Sequence, residues 1–352
     1  MGSLDNPAVQ KGALVLVTGV NGFLGSHIAD QFLEHGYKVH GTVRNVDKCS
    51  WLVKLFEKKY GEGNFHLVEV PDMIAEGAFD EAVKGASVFV HTTSVVSFDS
   101  NPHSVIPAAI DGALKALKAA YSETSVKRFV FTSSSTAAVS ATPGKPGIIV
   151  TEDTWNEDAI REAWAEPPYG PDRVWSVYAA SKAQSEQEVW RFHREHRHRR
   201  LDIVVNSVLP AFNFGQVLDP VNQGFPSTAG LVSALWKGEV TSMHKMVVRD
   251  HYVNVQDTGR LHFAAAISPN VKDQRIFAVA GGFSWNSILD ILRAYEPDRE
   301  FSVNFSGGID PNEILPSVKA ERLLQDIGFP GWTSLEESIV NNVEQLRALT
   351  KY

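Results

Sequence analysis

The chain has 352 residues, a formal net charge of −8 at pH 7 and one cysteine. The negative charge argues against nucleic acid as a partner, and no apolar run approaches the roughly 20 residues of a membrane span, so we expect neither nucleic-acid nor membrane binding. Cys49 alone cannot form an internal disulfide, and the first residues show no apolar signal core, so the sequence predicts a cytoplasmic protein.

The first predicted element is a strand over residues 13–17, because its apolar run suits a parallel strand buried on both faces. It leads into the sequence TGVNGFLG. There Gly19 allows a sharp turn, Gly22 admits a pyrophosphate, and Gly25 lets the next helix, over 26–35, pack closely. The start of that helix offers free N–H groups to phosphate. We therefore predict a dinucleotide site at this loop, formed by Gly19, Asn21, Gly22, Phe23, Leu24 and Gly25.

The second predicted strand, residues 37–44, ends where a dinucleotide's adenosine ribose would lie. No acid stands there to accept a hydrogen bond from a 2′-hydroxyl. Arg44 ends the strand instead, and Lys48 follows one helical turn later. Two cations favour a 2′-phosphate and hence NADPH. The alternative is a pair of solvated surface cations.

Three more predicted strands alternate with helical stretches, with strands at 65–70, 87–91 and 128–132 and helices at 49–60, 78–83 and 106–121. This alternation predicts parallel strands joined by right-handed crossovers, so ligands should bind at the carboxyl ends of the strands. Side chains just beyond these ends are therefore candidate cofactor contacts, with Asp72 and Met73 at the adenine and Thr92, Ser94 and Thr132 further along the sheet. The loop 94–99, which includes Val95 and Phe98, should lie above the nicotinamide half and contact substrate.

A proline-rich segment over 143–172 interrupts the pattern and holds one short predicted helix near 157–164. A long helix over 177–196 follows. Tyr178 and Lys182 are four residues apart in it and so share one face. The basic end of this helix suits a solvated helix terminus, and the spacing of its histidines does not fit a zinc site, so we expect no metal.

The remaining elements complete an α/β pattern. A strand over 202–209 ends at Pro210, a further candidate cofactor contact, and the segment 215–245 reads as irregular. A strand at 276–280 is followed by predicted helices at 284–295, 318–326 and 335–346, the first of them with Ser284 as N-cap. The predicted fold is a Rossmann-type doubly wound parallel sheet with a smaller, discontinuous C-terminal substrate lobe. The Rossmann domain would comprise 1–204 and 249–281, and the lobe 205–248 and 282–352.

Three motifs in order, TGVNGFLG, FTSSS and YAASK, resemble those of the extended short-chain dehydrogenases/reductases. The resemblance covers most of the chain and is strongest to the dihydroflavonol reductase branch and to fungal carbonyl and aldehyde reductases. One feature departs from the pattern. The 44 positions from Ser134 to Tyr178 include the segment rich in proline and tryptophan, so substrate preference is not carried over from any relative.

The resemblance implies NADPH-dependent reduction of a ketone or aldehyde to an alcohol. Tyr178 would give a proton to the nascent alkoxide, while Lys182 would lower the pKa of that tyrosine and hold the nicotinamide ribose. A serine hydroxyl would polarise the carbonyl. The family pattern places Ser134 in that role, and Ser133 and Ser135 stay open because neighbours on a strand face opposite sides.

The expected substrate is a bulky apolar or aromatic carbonyl compound, bound by Ser134 and Tyr178 and by apolar walls at Val95, Phe98, Val174, Trp175, Phe212 and Phe214. One alternative is a nucleotide-sugar epimerase or dehydratase. The diphosphate of such a substrate needs cations, and the lobe offers few of them, at Lys237, Lys245 and Arg249. Another is a non-catalytic NADP-binding regulator, although such proteins typically lack the Tyr/Lys pair. We expect a monomer or a homodimer.

Overall fold

The computed structural model describes residues 6–94, 99–141 and 146–350, the side chain of Thr350 excepted. The strands in chain order are β1 (Leu14–Thr18), β2 (Lys38–Val43), β3 (Phe65–Glu69), β4 (Val88–His91), β5 (Arg128–Thr132), β6 (Ile149–Val150), β7 (Val204–Pro210), β8 (Phe212–Phe214), β9 (Arg249–Asn254), β10 (Arg275–Ala278), β11 (Gly281–Ser284) and β12 (Glu313–Ile314). The α-helices in chain order are α1 (Phe23–Glu34), α2 (Ser50–Tyr60), α3 (Pro102–Ser122), α4 (Glu157–Ala163), α5 (Val174–His196), α6 (Pro220–Gln223), α7 (Thr228–Trp236), α8 (Ser242–Met246), α9 (Val255–Ile267), α10 (Trp285–Tyr295), α11 (Ser317–Asp326) and α12 (Leu335–Thr350).

Seven strands form one parallel sheet in the order β10-β7-β5-β4-β1-β2-β3. The order reverses direction at β1, which lies between β2 and β4. The prediction of a doubly wound parallel sheet is thereby confirmed. Because all strands run the same way, their carboxyl ends share one edge, and the crevice at the reversal point lies beside the glycine loop that follows β1.

Apolar side chains on the central strands alternate between two helical layers. Val15 and Val17 of β1 pack into one core with residues of α1, α2, α9 and α11, while Leu16 packs into a second core with residues of α3 and α5. Burial on both faces explains why these strands read as unbroken apolar runs. No helix among the described residues is long and apolar enough to cross a membrane.

The smaller lobe is built on a three-stranded sheet in the order β11-β9-β8, with β9 antiparallel to β11 and parallel to β8. Its core is aromatic, and helices α7, α10 and α12 cover it. Phe214, Phe283 and Trp285 lie at the centre with their ring centroids 5.0–6.3 Å apart. The lobe therefore has its own hydrophobic core beside the carboxyl edge of the large sheet.

The sheets divide the chain differently from the predicted domain boundaries. β7 belongs to the large sheet, so a boundary between 204 and 205 would cut this strand. β9 lies in the small sheet although it falls within 249–281, and α11 packs against α9 and β10. The chain therefore passes between the large sheet and the small lobe more often than the predicted domain boundaries imply.

Two predicted local structures are wrong. Residues 78–83 form turns, not a helix, between Gly77 and Gly85, which both have positive φ. The segment 215–245, predicted to be irregular, contains α6, α7 and α8. By contrast, the predicted cap of α10 is confirmed, because the Ser284 side chain accepts a hydrogen bond from the Ser287 N–H.

Candidate active site

The glycine loop is shaped by close backbone contacts. Gly19 has φ of +64°, and a Cβ there would collide with the Thr93 side chain. A Cβ on Gly25 would collide with the carbonyl oxygen of Gly19, so the start of α1 packs directly against the turn. Gly22 caps the helix without any side-chain hydrogen bond to its first N–H groups. The cradle therefore fits the pyrophosphate of a dinucleotide.

The other residues of this loop offer their backbone. The Phe23 side chain is buried against Val217, Ala229 and Val255, so only its N–H group is placed to meet a phosphate. Leu24 is half-buried, and Asn21 is exposed.

The predicted adenosine contacts lie at the carboxyl ends of β2 and β3. Arg44 and Lys48 are both exposed, and neither forms an ion pair with any residue that the structure describes. Asp72 is exposed, and its Oδ1 accepts a hydrogen bond of 3.0 Å from the Ile74 N–H. Met73 is half-buried and packs over Gly112 of α3. The two cations are thus free to meet a phosphate group.

The ends of β1 and β4 are joined by a small polar network. Thr18 Oγ1 accepts hydrogen bonds from the N–H groups of Thr92, at 2.9 Å, and Thr93, at 3.1 Å, and it contacts His91 Nδ1 at 3.2 Å. Burial lowers the pKa of His91 to about 3, so this imidazole is neutral at physiological pH. The network fixes the start of the loop that carries the half-buried Ser94. Val95 and Phe98 lie outside the described residues.

Ser134 and Tyr178 meet at the carboxyl edge of the sheet. Ser134 is the second residue after β5, and its side chain lies close enough to that of Tyr178, near the start of α5, to affect the pKa of the tyrosine. Ser134 Oγ also accepts a hydrogen bond of 2.9 Å from Thr136 Oγ1. The Trp175 ring stacks on the Tyr178 ring with centroids 5.2 Å apart. The tyrosine is therefore held from two sides.

The structure separates the three candidate serines. Ser133 Oγ donates a hydrogen bond of 2.7 Å to the Glu186 carboxylate, which faces away from the cleft into the protein. Ser135 begins a short 3₁₀ turn. Ser134 is the one of the three, as the structure describes them, whose side chain affects the pKa of Tyr178. This placement favours Ser134 as the hydroxyl that meets a carbonyl oxygen.

Lys182 lies one helical turn after Tyr178 and is 6% exposed. Its Nζ donates a hydrogen bond of 3.5 Å to the carbonyl oxygen of Thr132. Burial lowers the pKa of Lys182 to about 8, although the nearby Glu186 carboxylate acts to raise it. Thr132 itself is buried at the end of β5, and its Oγ1 contacts His262 Nε2 at 2.8 Å.

Burial, more than any neighbouring group, sets the pKa of Tyr178. Burial raises the pKa of Tyr178, and the neighbouring Ser134 side chain acts against this rise. Burial removes water from both Tyr178 and Lys182, and this desolvation disfavours the charged form of each side chain. The tyrosine is therefore a protonated phenol at neutral pH.

Glu186, which the sequence reading did not single out, is fully buried on α5 one turn beyond Lys182. Its carboxylate accepts five hydrogen bonds, from Ser133, Ser207, Trp190 and twice from Arg275. These partners lie on or next to β5, β7 and β10 as well as on α5. Glu186 thus ties the helix that carries Tyr178 to the strands that end at the cleft.

The residues predicted to form apolar pocket walls lie in different environments. Trp175 lies 6.0 Å from Phe212, centroid to centroid, and this pair forms a continuous aromatic surface with Tyr178. Val174 is half-buried at the start of α5. Phe214 is fully buried in the core of the small lobe, so its prediction as a pocket wall is wrong. Pro210 is buried at the end of β7, where it closes the carboxyl edge.

The profile of the NAD dependent epimerase/dehydratase family matches residues 15–274, which is more than half of the chain. The chain belongs to this family. The assignment confirms the resemblance to the extended short-chain dehydrogenases/reductases that the three motifs carried.

Curated relatives match nearly end to end. Aldehyde reductase 2 of Sporidiobolus salmonicolor is 39% identical over 96% of this chain and 97% of its own length. The NAD-dependent epimerase/dehydratase terH of Aspergillus terreus is 39% identical over 97% of this chain and 99% of its own length. Among solved structures, Gre2 from Candida albicans in complex with NADPH has a TM-score of 0.80 at 26% identity, covering 96% of this chain and 99% of that one.

Proposed function

We propose that this chain is an NADPH-dependent carbonyl reductase that converts a ketone or aldehyde to an alcohol. The observation that carries the proposal is the position of Ser134 beside Tyr178, with Lys182 one turn further along the same helix and the glycine cradle on the same sheet edge. Carbonyl reduction needs a proton donor, a donor to the carbonyl oxygen and a dinucleotide site, and these three elements converge here. The aldehyde reductase relative supports the same reaction type.

When bound, NADPH supplies the hydride for this reaction. The Ser134 hydroxyl is placed to donate a hydrogen bond to the carbonyl oxygen and so to stabilise the charge that develops there. Tyr178, a protonated phenol at neutral pH, gives its proton to that oxygen. The Lys182 ammonium group stabilises the tyrosinate left behind and is placed to hold the nicotinamide ribose. Trp175 fixes the phenol ring and excludes water from one side.

The choice of NADPH over NADH is proposed from the cations at the end of β2. Arg44 can meet a 2′-phosphate with paired hydrogen bonds, and Lys48 adds a second positive charge. Both side chains are exposed and form no ion pair among the described residues, so neither has to break a contact to bind phosphate. The NADPH-bound Gre2 structure supports this choice.

Replacement of Arg44 by alanine should raise KM for NADPH about tenfold, because loss of a charge-assisted hydrogen bond of about 1.4 kcal/mol corresponds to one decade in affinity. NADH kinetics should change little, since NADH has no 2′-phosphate. Steady-state kinetics with both cofactors test this. Lys58→Ala is the matched control, because Lys58 is exposed near the far end of α2. Equal losses for both cofactors would make Arg44 a structural residue.

The rate of carbonyl reduction should fall as pH rises through about 8. The pKa of Lys182 is lowered to about 8 by burial, so its ammonium group loses its proton there. His91 stays neutral across this range because its pKa is about 3. A profile of kcat/KM from about pH 6 to about pH 10 measures this, since kcat/KM reports ionisations of the free enzyme and substrate. A rate that is flat or rising above pH 8 would contradict this role of Lys182.

The nucleotide-sugar alternative has weaker support in the small lobe. Of its candidate cations, Lys237 and Lys245 are exposed on the ends of α7 and α8, and Arg249 is half-buried at the start of β9. An aromatic surface formed by Trp175 and Phe212 faces Tyr178, where a sugar would need polar partners. An apolar or aromatic carbonyl compound fits this surface better.

A substrate panel tests the proposal directly. Purified protein with NADPH, NADH or NAD is offered aryl ketones, aliphatic ketones, aldehydes and nucleotide sugars, and both the cofactor absorbance and the products, separated by chromatography, are followed. We expect turnover with bulky aromatic carbonyl compounds and NADPH. Turnover of nucleotide sugars with NAD, and none of any ketone or aldehyde, would overturn the proposal.

The assembly and the compartment are further proposals from the sequence. We propose a cytoplasmic monomer or homodimer, in keeping with the single buried cysteine. Light scattering of the purified protein measures the assembly state.

A further inference from the structure

Asp250 lies on the face of the small sheet that leads to the catalytic tyrosine. On β9 it pairs in register with Phe283 of β11, so both side chains project from the same face. Phe283 contacts Phe212 with ring centroids 5.4 Å apart, and Phe212 in turn lies 6.0 Å from Trp175. Trp175 stacks on Tyr178. The carboxyl group of Asp250 therefore lies beside a chain of aromatic rings that leads to Tyr178. Trp175 and Phe212, at the Tyr178 end of this chain, form the aromatic wall on which a substrate would rest.

The Asp250 carboxyl group is only half satisfied. Its Oδ1 accepts a hydrogen bond of 2.7 Å from the His251 N–H. Its Oδ2 is buried and has no hydrogen-bond partner among the residues that the structure describes. The residue is 5% exposed, so bulk water has little access to this oxygen. A buried acceptor without a partner is unfavourable, which indicates that a bound molecule supplies the missing donor.

Asp250 is also electrostatically linked to the reaction centre. Burial raises the pKa of Asp250 to about 7, and its negative charge acts to raise the pKa of Tyr178. This link is consistent with a carboxyl group that borders the substrate pocket.

The neighbouring polar groups are already engaged. His251 Nδ1 lies 3.4 Å from Asp310 Oδ2 and 3.9 Å from Asp250 Oδ1, so it stands between the two carboxylates as their charge partner. Asp310 Oδ1 further accepts hydrogen bonds from Asn312 N and Nδ2, at 3.0 and 2.7 Å. The three side chains are close enough together to hold a metal ion. With His251 in place as their partner, however, the free oxygen of Asp250 calls for a hydrogen-bond donor instead.

We propose that Asp250 is a substrate-recognition residue, whose free carboxyl oxygen accepts a hydrogen bond from a hydroxyl or protonated amine that the carbonyl substrate carries away from its reacting group. The substrates would thus be hydroxy- or amino-substituted aromatic or bulky carbonyl compounds. This inference rests on the proposed reductase function. A site that hydrogen-bonds a substrate donor discriminates strongly against the analogue that lacks it, because the buried acceptor is then left unpaired.

The test uses Asp250→Asn, which keeps the side-chain size and an acceptor for the His251 N–H but puts an NH₂ donor where the free acceptor was. Aryl ketones that carry a methyl, hydroxymethyl or aminomethyl group at successive ring positions are compared by kcat/KM with NADPH. At one ring position the wild type should prefer a donor-bearing ketone over its methyl analogue by about tenfold or more. Asp250→Asn should lose that preference, and more completely for the amine, because the neutral amide also removes the charge.

Asp310→Asn is the matched control, since it removes a carboxylate beside His251 from outside the aromatic wall and should leave the preference in place. Melting curves confirm that each variant is folded. No donor preference in the wild type, or an equal loss on methyl and donor-bearing ketones, would overturn the inference. Activity that depends on added Zn²⁺ or Mn²⁺ and falls with both variants would also overturn it in favour of a metal. If no ketone is reduced at all, the proposed function itself fails, which is a distinguishable result.

Discussion

Replacement of Tyr178 by phenylalanine should lower kcat for carbonyl reduction by about 10²–10⁴-fold, the usual contribution of general acid catalysis. The change removes one hydroxyl group, which is the proposed proton donor and lies beside Ser134. The aromatic ring remains and can still stack on Trp175. NADPH binding, followed by the change in its fluorescence, should therefore be close to that of the wild type.

Tyr121→Phe is the control for this variant. Tyr121 also loses a partly buried hydroxyl contact, at 2.7 Å to His193 Nδ1, but it lies at the end of α3, away from the carboxyl edge. We expect its kcat to be unchanged. If Tyr178→Phe keeps more than about a tenth of wild-type kcat, another group supplies the proton and the assigned role of Tyr178 is wrong.

Replacement of Glu186 by alanine should destabilise the protein by about 3–5 kcal/mol, the typical effect of removing one partner from a buried ion pair. The side chain is fully buried and pairs with Arg275, whose side chain is 7% exposed, so the guanidinium loses its counter-ion without gaining water. Ser133 and Ser207 lose their acceptor at the same time. Urea unfolding at neutral pH measures the change in the free energy of unfolding.

Glu188→Ala serves as the comparison on the same helix. Glu188 pairs with Arg191, whose side chain is 57% exposed, and such surface pairs contribute no more than about 1 kcal/mol. A small effect is therefore expected. Similar losses for the two variants would show that Glu186 does not anchor α5 to the sheet.

The large sheet could be predicted because its strands carry signals in the local sequence. Burial on both faces requires continuous apolar runs such as residues 14–17, and the glycine loop after β1 marks where the chain turns into a helix. Ser134, Tyr178 and Lys182 were predicted from the resemblance to the extended short-chain dehydrogenases/reductases, with Ser133 and Ser135 left open. Helix spacing adds that Tyr178 and Lys182 share one face, and the end of a strand adds that the serines lie at the carboxyl edge.

Local pattern misled where the segment was short or uniformly apolar. Residues 78–83 have helical spacing of apolar side chains, but one turn between Gly77 and Gly85 is too short to form a stable helix. Helix α7, with the sequence TAGLVSALW, is buried on several sides, so its apolar residues show no amphipathic period to detect.

The residues that the sequence reading missed act through partners far away in the chain. Glu186 reaches Ser133 and Arg275, which are 53 and 89 positions away. Asp250 reaches the aromatic wall only through the pairing of β9 with β11. Phe214 was predicted to line the pocket because an aromatic residue near a strand end suits a pocket wall as well as a core. Only the packing of the folded chain distinguishes a wall position from a core position.

The most direct measurement of the central claim is the amount of NADPH consumed per molecule of product formed by the purified enzyme acting on an aromatic ketone or aldehyde. A reductase that uses Tyr178 as proton donor consumes one NADPH for each alcohol, and no product forms without added cofactor. An enzyme that returns the hydride to its substrate, as an epimerase or dehydratase does, releases product without net change in the cofactor. One-to-one stoichiometry is the expected result, and product formation without NADPH consumption would contradict it.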